Sequence, residues 1–298
     1  MQKNPILGII GNVGPEADEV LQRLIRLEAM AHGASKDQDF LSMIVVKNPE
    51  ITDRTLAIFE GGKSPAIGII DSCNILQACG IYLAALPSNT SHYFKHEYQA
   101  GTPVYVIDII ALTLTHINAL GATKVGLLAT TPTINTGLFA ITINAKDAPT
   151  AEHGPVYIAP QADIQEAFVQ SAIYGSLDPS GRHDRRQPDG LKSGQTKKAI
   201  ARLGVAITSM IEEESVDTFI TGCTEVSIIV DQLRQAFPSC AFIDPMECLA
   251  KYAYRIAGEV SDMLTRSDDI PEIELQAALD DHTLTAAYVA GKMRASLA

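Results

Sequence analysis

Asp217-Thr218-Phe219-Ile220-Thr221-Gly222-Cys223-Thr224-Glu225 runs a short apolar strand straight into a small polar turn. Ile81-Tyr82-Leu83-Ala84-Ala85 does the same, followed by Pro87-Ser88-Asn89-Thr90-Ser91-His92. Each turn is expected at the mouth of the next helix. Outward from these two, short apolar runs alternate with longer helical patterns, the mark of parallel βα units. Ile6 to Ile10 reads as a buried strand and Gly11-Asn12-Val13-Gly14-Pro15 as the turn after it. Pro15, Glu16 and Asp18 then suit the first turn of a helix. Leu41 to Val46 is another strand, and a second run of similar character begins near residue 108. In that run Lys124 to Ala129 is a strand, Thr130 to Thr133 a polar turn, and about Thr196 to Glu213 a helix. The tail from about Ile270 reads as one more surface helix. Residues 144–160 and 176–189 break the rhythm and read as exposed connections.

The chain's 298 residues are 46% hydrophobic and 19% charged, a globular balance. A net charge of −12 argues against nucleic acid, whose phosphates call for a basic surface. No stretch reaches the roughly 18–20 apolar residues needed to span a bilayer, and the start carries no signal-peptide pattern. Five irregularly spaced cysteines fit neither a disulfide framework nor a zinc site. No metal or cofactor is expected, and a cytoplasmic location is.

Ligands of open α/β sheets bind at the carboxyl ends of strands, and helix N-termini offer free N–H groups to a carboxylate. Cys223 stands where such an end would pull its thiol pKa below the usual ~8.5, making thiolate accessible near neutral pH. The plainer reading is a small cysteine filling space. Thr224 offers a hydroxyl, and Glu225 could orient or deprotonate Cys223 or simply favour a helix N-terminus. His92 could assist Ser88, or serve as a surface or capping residue.

Gly222-Cys223-Thr224-Glu225 resembles the second cysteine motif of the aspartate/glutamate racemases. Pro87-Ser88-Asn89-Thr90-Ser91-His92 resembles the first, with Ser88 in place of that family's cysteine. Leu7 to Ala17 is similar to its glycine-rich opening. Asn48-Pro49 and Asp53-Arg54-Thr55 resemble the loop carrying a substrate arginine, Leu191-Lys192-Ser193-Gly194 the segment carrying a substrate lysine, and Leu127 to Thr131 the first strand and turn of the second domain.

The resemblance implies a cofactor-independent racemase of two pseudo-symmetric α/β domains, mainly parallel, with the active site in the cleft between them. It sets the first domain at 1–110 plus about 226–298 and the second at about 111–225, with 176–189 inserted. Ser88 and Cys223 would be the catalytic pair. Arg54 and Lys192 would hold a distal carboxylate, and Asn89, Thr90, Thr130 and Thr224 the α-carboxylate. Asn12, Val13 and Glu225 would also meet the substrate, an acidic amino acid or related dicarboxylate, in a chain that resembles homodimeric relatives.

Inversion needs an acid and a base on opposite faces of one carbon. A serine hydroxyl can return a proton to a carbanion but is a poor base, so Cys223 alone would remove protons and racemisation would be impaired. Ser88 would then be an introduced substitution, a mark of one-way stereochemistry, or a mark of another reaction, such as a single-thiol decarboxylation. A non-catalytic dicarboxylate-binding protein is the alternative from another class. Arg182, His183, Arg185 and Arg186 suggest a basic lid over residues 176–189.

Overall fold

The computed structural model describes residues 6–14, 16–139, 155–176, 188–266 and 270–297. Arg182, His183, Arg185 and Arg186, and with them the expected lid, lie outside the described residues. The chain divides into two compact units, Met1–Ile109 with Glu247–Ala298, and Ile110–Met246.

In the first unit β1 (Leu7–Gly11), β2 (Met43–Lys47), β3 (Leu83–Ala85) and β4 (Tyr105–Ile107) form a parallel sheet in the order β2-β1-β3-β4. In the second, β5 (Lys124–Leu127), β6 (Val156–Ile158), β7 (Thr218–Ile220) and β8 (Ala241–Ile243) repeat it as β6-β5-β7-β8. The expected α/β architecture with parallel sheets is present in both units. The central strands β1, β3 and β7 are short and wholly buried, with Leu7, Ile9 and Ile10 at 0% exposure, as parallel strands covered on both faces require, and in β5 Lys124 alone is exposed. Helices α1 (Ala17–Ala31), α2 (Arg54–Phe59), α3 (Ala66–Ala78), α4 (Lys95–Ala100), α5 (Ile109–Leu120) and α6 (Thr131–Asn135) carry the chain between strands.

The strand order matters more than the helix count. Each sheet reverses direction of winding between its first and third strands, β1 and β3 in one and β5 and β7 in the other. A crevice opens at the carboxyl ends of the strands at such a switch point. In the first unit this groups the turn after β1 with the turn after β3. In the second it groups the turns after β5 and β7, whose pairing joins Leu127 to Ile220.

Two expectations need correcting. Residues 226–246 belong with the second unit rather than the first, because β8 completes the second sheet by pairing with β7. The tail is also no surface helix. Thr285–Leu297 buries Ala286, Tyr288, Val289, Ala290 and Met293, and the Tyr288 hydroxyl donates to the Pro103 carbonyl just before β4 at 2.5 Å. Alanines at two of those five positions hide its buried face. Truncation after Leu284 should therefore cost the first unit more than about 4 kcal/mol, counting only Tyr288, Val289 and Met293. Urea unfolding followed by circular dichroism would show it as an early transition, and an unchanged midpoint would refute the tail's role in the core.

Candidate functional site

In the first unit the chain leaves β1 through Asn12, whose φ of 63° is left-handed, a region asparagine tolerates better than most residues. Its N–H donates to Asp18 Oδ1 at 3.3 Å. Asp18, almost fully buried, is neutralised by Lys47 with Nζ 3.1 Å from Oδ2. From the other side Arg54 donates Nη2–H to the Val13 carbonyl at 2.9 Å and Nη1–H to the Thr52 carbonyl at 3.3 Å. Asp53 fixes Arg54 in place by capping α2, accepting the N–H groups of Thr55 and Leu56 at 2.7 and 3.1 Å. Arg54 is thus fastened to the Asn12–Val13 turn by part of its five-donor fork.

Ser88 lies three residues past Ala85, the end of β3. Its Oγ accepts from the Ser91 hydroxyl at 2.8 Å and the Ser91 N–H at 3.3 Å, while Asn89 and Thr90 lead into a 3-10 turn, Thr90–Phe94. His92 is buried rather than on the surface, and its ring nitrogens meet the carbonyls of Ser88 at 2.8 Å and Ile107 at 3.1 Å. It ties the β3 turn to β4. The reading of His92 as an aid to the Ser88 hydroxyl is corrected, since neither nitrogen is engaged with Oγ.

Cys223 holds the matching place in the second unit, three residues past Ile220, the end of β7. Gly222 lets the strand end come close. A Cβ there would stand 2.8 Å from both Ala129 Cβ and Leu127 Cδ1, so only glycine lets the turns after β5 and β7 lie together. Cys223, Thr224 and Glu225 are all under 9% exposed. The Cys223 thiol donates to Glu225 Oε2 at 2.9 Å, and the Thr224 hydroxyl approaches the same oxygen at 3.4 Å. Lys192 forms an ion pair with the other oxygen, Oε1, and its ammonium lies 5.1 Å from the Tyr174 ring centre. In the turn after β5, Thr130 Oγ1 caps α6 by accepting the Thr133 N–H at 3.4 Å.

The electrostatics overturn one expectation. Burial first, and then the negative charge of Glu225, push the Cys223 thiol well above its ordinary value. No long helix begins at Cys223 either; a 3-10 turn, Val226–Ile229, precedes a helix of seven residues, Val230–Ala236. The dipole that would favour thiolate is therefore weak, and burial together with Glu225 favours the thiol form. Burial alone would favour the neutral form of Glu225, but Lys192 and the thiol outweigh it and hold the carboxyl below its usual range. Lys192 is raised, its own desolvation overcome by Glu225.

Residues without a sequence signal also gather here. A π-helical turn, Gln165–Gln170, sends Gln165, Glu166 and Gln170 to the turn after β5. Lys192 is reached through a clasp: Ser176 donates its N–H and hydroxyl to Asp189 at 2.6 and 2.9 Å, and Arg202 Nη2 donates to Asp189 Oδ2 at 2.9 Å. Gly190 passes so near Gly175 that a Cβ on it would lie 2.4 Å from the Gly175 nitrogen.

The sequence profile of the Asp/Glu/Hydantoin racemase family matches residues 10–253. Among solved structures, aspartate racemase from Picrophilus torridus is 25% identical, covers 85% of this chain and 94% of its own, and superposes with a TM-score of 0.66. An aspartate racemase homologue from Pyrococcus horikoshii shares the fold at 21% identity and a TM-score of 0.61, over 85% of this chain and 99% of its own. Glutamate racemase from Francisella tularensis, solved with D-glutamate, shares it at 16% identity and 0.53, over 98% and 94%.

Two outcomes follow from the charges. Glu225→Gln should lower the midpoint pH for alkylation of Cys223 by iodoacetamide, while Lys192→Met should raise it; mass spectrometry of the modified peptide reads both, and shifts of the opposite sign would refute the coupling. Arg202 foremost, and then Ser176 and Lys198, hold the Asp189 carboxyl far below its normal range against a smaller effect of burial. That stabilisation is complete above the unfolded value near ~3.9 and is lost as pH falls through the folded one. The melting deficit of Asp189→Asn should therefore be largest near neutrality and shrink below about pH 4.

Proposed function

Because the chain belongs to the Asp/Glu/Hydantoin racemase family, we propose that it moves the α-proton of an acidic amino acid through Cys223, and that Ser88 makes the transfer one-sided. The observation that carries this reading is the buried chain of contacts from Cys223 through Glu225 to Lys192. It gives a thiol, a proton acceptor for that thiol, and a cation that sets the acceptor's basicity.

Lys192 keeps Glu225 a weak base, so the proton stays on sulfur until a substrate carboxylate arrives. A substrate's side-chain carboxylate competes for Lys192. As Lys192 turns to it, Glu225 gains basicity and takes the Sγ proton on Oε2. The resulting thiolate then removes the α-proton: the Cα–H bond breaks, S–H forms, and the electron pair is left on the α-carbon beside the carboxylate. Donors from Thr130 and Thr224 stabilise that charge as it spreads onto the α-carboxylate. Return of the proton from Cys223 regenerates the starting enantiomer. Ser88 is a poor partner in either direction, since its hydroxyl has hydroxyl partners and, among the described residues, no base to take or restore its proton.

A second reading has its own support. A thiol held protonated is suited to a reaction that only needs a proton donor, as when a dicarboxylate loses carbon dioxide and the carbanion is quenched. The reading further takes the protein to be cytoplasmic and a homodimer. Exposed Leu56, Phe59 and Ile67 on α2 and α3 are candidates for its contact face.

Proton NMR of L- and D-aspartate and glutamate in heavy water tests this. Wild-type protein should erase the α-proton signal of one enantiomer without forming the other, and Cys223→Ser should stop it. Ser88→Cys should add inversion at least tenfold above the wild-type rate. Inversion by the wild type would refute the one-sided reading, and release of carbon dioxide from a dicarboxylate would favour the decarboxylase.

A further inference from the structure

Gln165 is 5% exposed and stands in the π-helical turn Gln165–Gln170. Its Nε2 donates to the Ala129 carbonyl at 2.9 Å and to Thr131 Oγ1 at 3.2 Å. Its carbonyl oxygen, Oε1, is buried and has no donor among the described residues. The amide cannot be turned round to relieve this, because Nε2 would then abandon the Ala129 carbonyl. Leaving such an acceptor unpaired costs about 1–3 kcal/mol, a cost a fold sustains where something else supplies the donor.

The surroundings indicate what that donor is. Ala129 lies so near Gly222, just before Cys223, that a Cβ on the glycine would stand 2.8 Å from the Ala129 Cβ, so the amide belongs to the same pair of strand ends as the thiol. Glu166 accepts the Thr131 hydroxyl at 2.5 Å, which brings a carboxylate to the hydroxyl that Gln165 Nε2 also reaches. An acceptor oxygen with an anion nearby suits a cationic N–H donor. The wide turn is what brings these groups together: an i+5 repeat carries Gln165 and Gln170 to one side, where an α-helix of 3.6 residues per turn would splay them. Gln170 Oε1 is already engaged by the Thr131 N–H at 3.0 Å, which leaves Gln165 Oε1 as the open acceptor of the pair.

We propose that Gln165 Oε1, backed by Glu166, receives the ammonium group of the substrate and makes the site select amino acids over the matching diacids without nitrogen. The inference rests on the acidic-amino-acid reading and names the residue that recognises the amine. It assigns Gln165 a binding role and Gln170 a positioning one.

Calorimetric titration with aspartate and with succinate, which lacks the amine, separates the two roles. Wild-type protein should bind aspartate at least tenfold more tightly than succinate. Gln165→Met should erase most of that preference while changing succinate affinity less than threefold, and Glu166→Gln should reduce it in part. Gln170→Met, which only loosens the Thr131 turn, should weaken both ligands alike. Equal loss of both ligands in Gln165→Met would overturn the proposal and leave Gln165 a structural residue. Equal wild-type affinity for the two ligands would overturn it with no variant needed, including where Gln165→Met does not fold. If the wild type exchanges α-protons yet shows no such preference, only the role of Gln165 falls. If it binds neither ligand and exchanges nothing, the acidic-amino-acid reading falls too.

Discussion

A carboxylate taken out of water must be neutralised where it stands, and the burial of Glu225 imposes that demand on the second unit. Desolvating such a group costs several kcal/mol, and removing its partner would cost about 3–5 kcal/mol. Lys192 is that partner, and much of the local structure serves to deliver it. The Ser176–Asp189–Arg202 clasp draws residues 176 and 189 together, and Arg202 also donates to the Ser171 carbonyl at 2.8 Å. The close pass of Gly190 over Gly175 then sets Leu191 into the core and Lys192 beside Glu225. The ion pair is therefore costly to build and costly to break. That is the profile of a group kept for its chemistry rather than for stability.

The two units solve the same geometric problem with different chemistry. Ser88 and Cys223 share strand position and offset, and each is followed by a 3-10 turn. Around Cys223 the partners are charged and titratable. Around Ser88 they are hydroxyls and backbone carbonyls, with His92 spent on holding β3 to β4. A hydroxyl among neutral partners is poorly equipped either to give up a proton or to take one. One charged cluster of the first unit stands at the Asn12–Val13 turn, where Asp18, backed by Lys47, and Arg54 hold the backbone from both sides.

The parallel architecture was legible because buried strands such as Leu7–Gly11 and Thr218–Ile220 are short apolar runs ended by small polar turns. Cys223, Glu225 and Lys192 were legible from motif. The thiol's state was not, because burial and a neighbouring carboxylate are tertiary facts that residue spacing does not encode. The expected helix dipole failed for a local reason: Val226–Ile229 tightens into a 3-10 turn, so few peptide dipoles align behind the sulfur. Gln165 was invisible because its relation to Gln170 exists only in a π-helical repeat, which a search at 3.6 residues cannot detect. The tail misled for the opposite reason, as alanines on the Thr285–Leu297 helix pack as tightly as larger residues while leaving little apolar pattern.

A resting thiol at Cys223 and a resting hydroxyl at Ser88 are both acids, so the proposed reaction has no base until substrate arrives. Lys192 decides when one forms. In that reading a ligand with a second carboxylate would compete for that ammonium and leave Glu225 free to take the thiol proton. An amino acid with an apolar side chain could fill the same space, yet Lys192 would stay on Glu225 and sulfur would keep its proton. Specificity for acidic substrates would then reside in kcat as much as in binding, since the side-chain carboxylate is what switches on the base. The cost of burying the Lys192–Glu225 pair becomes intelligible on those terms: it would hold beside Glu225 a neutralising charge that a substrate carboxylate could redirect.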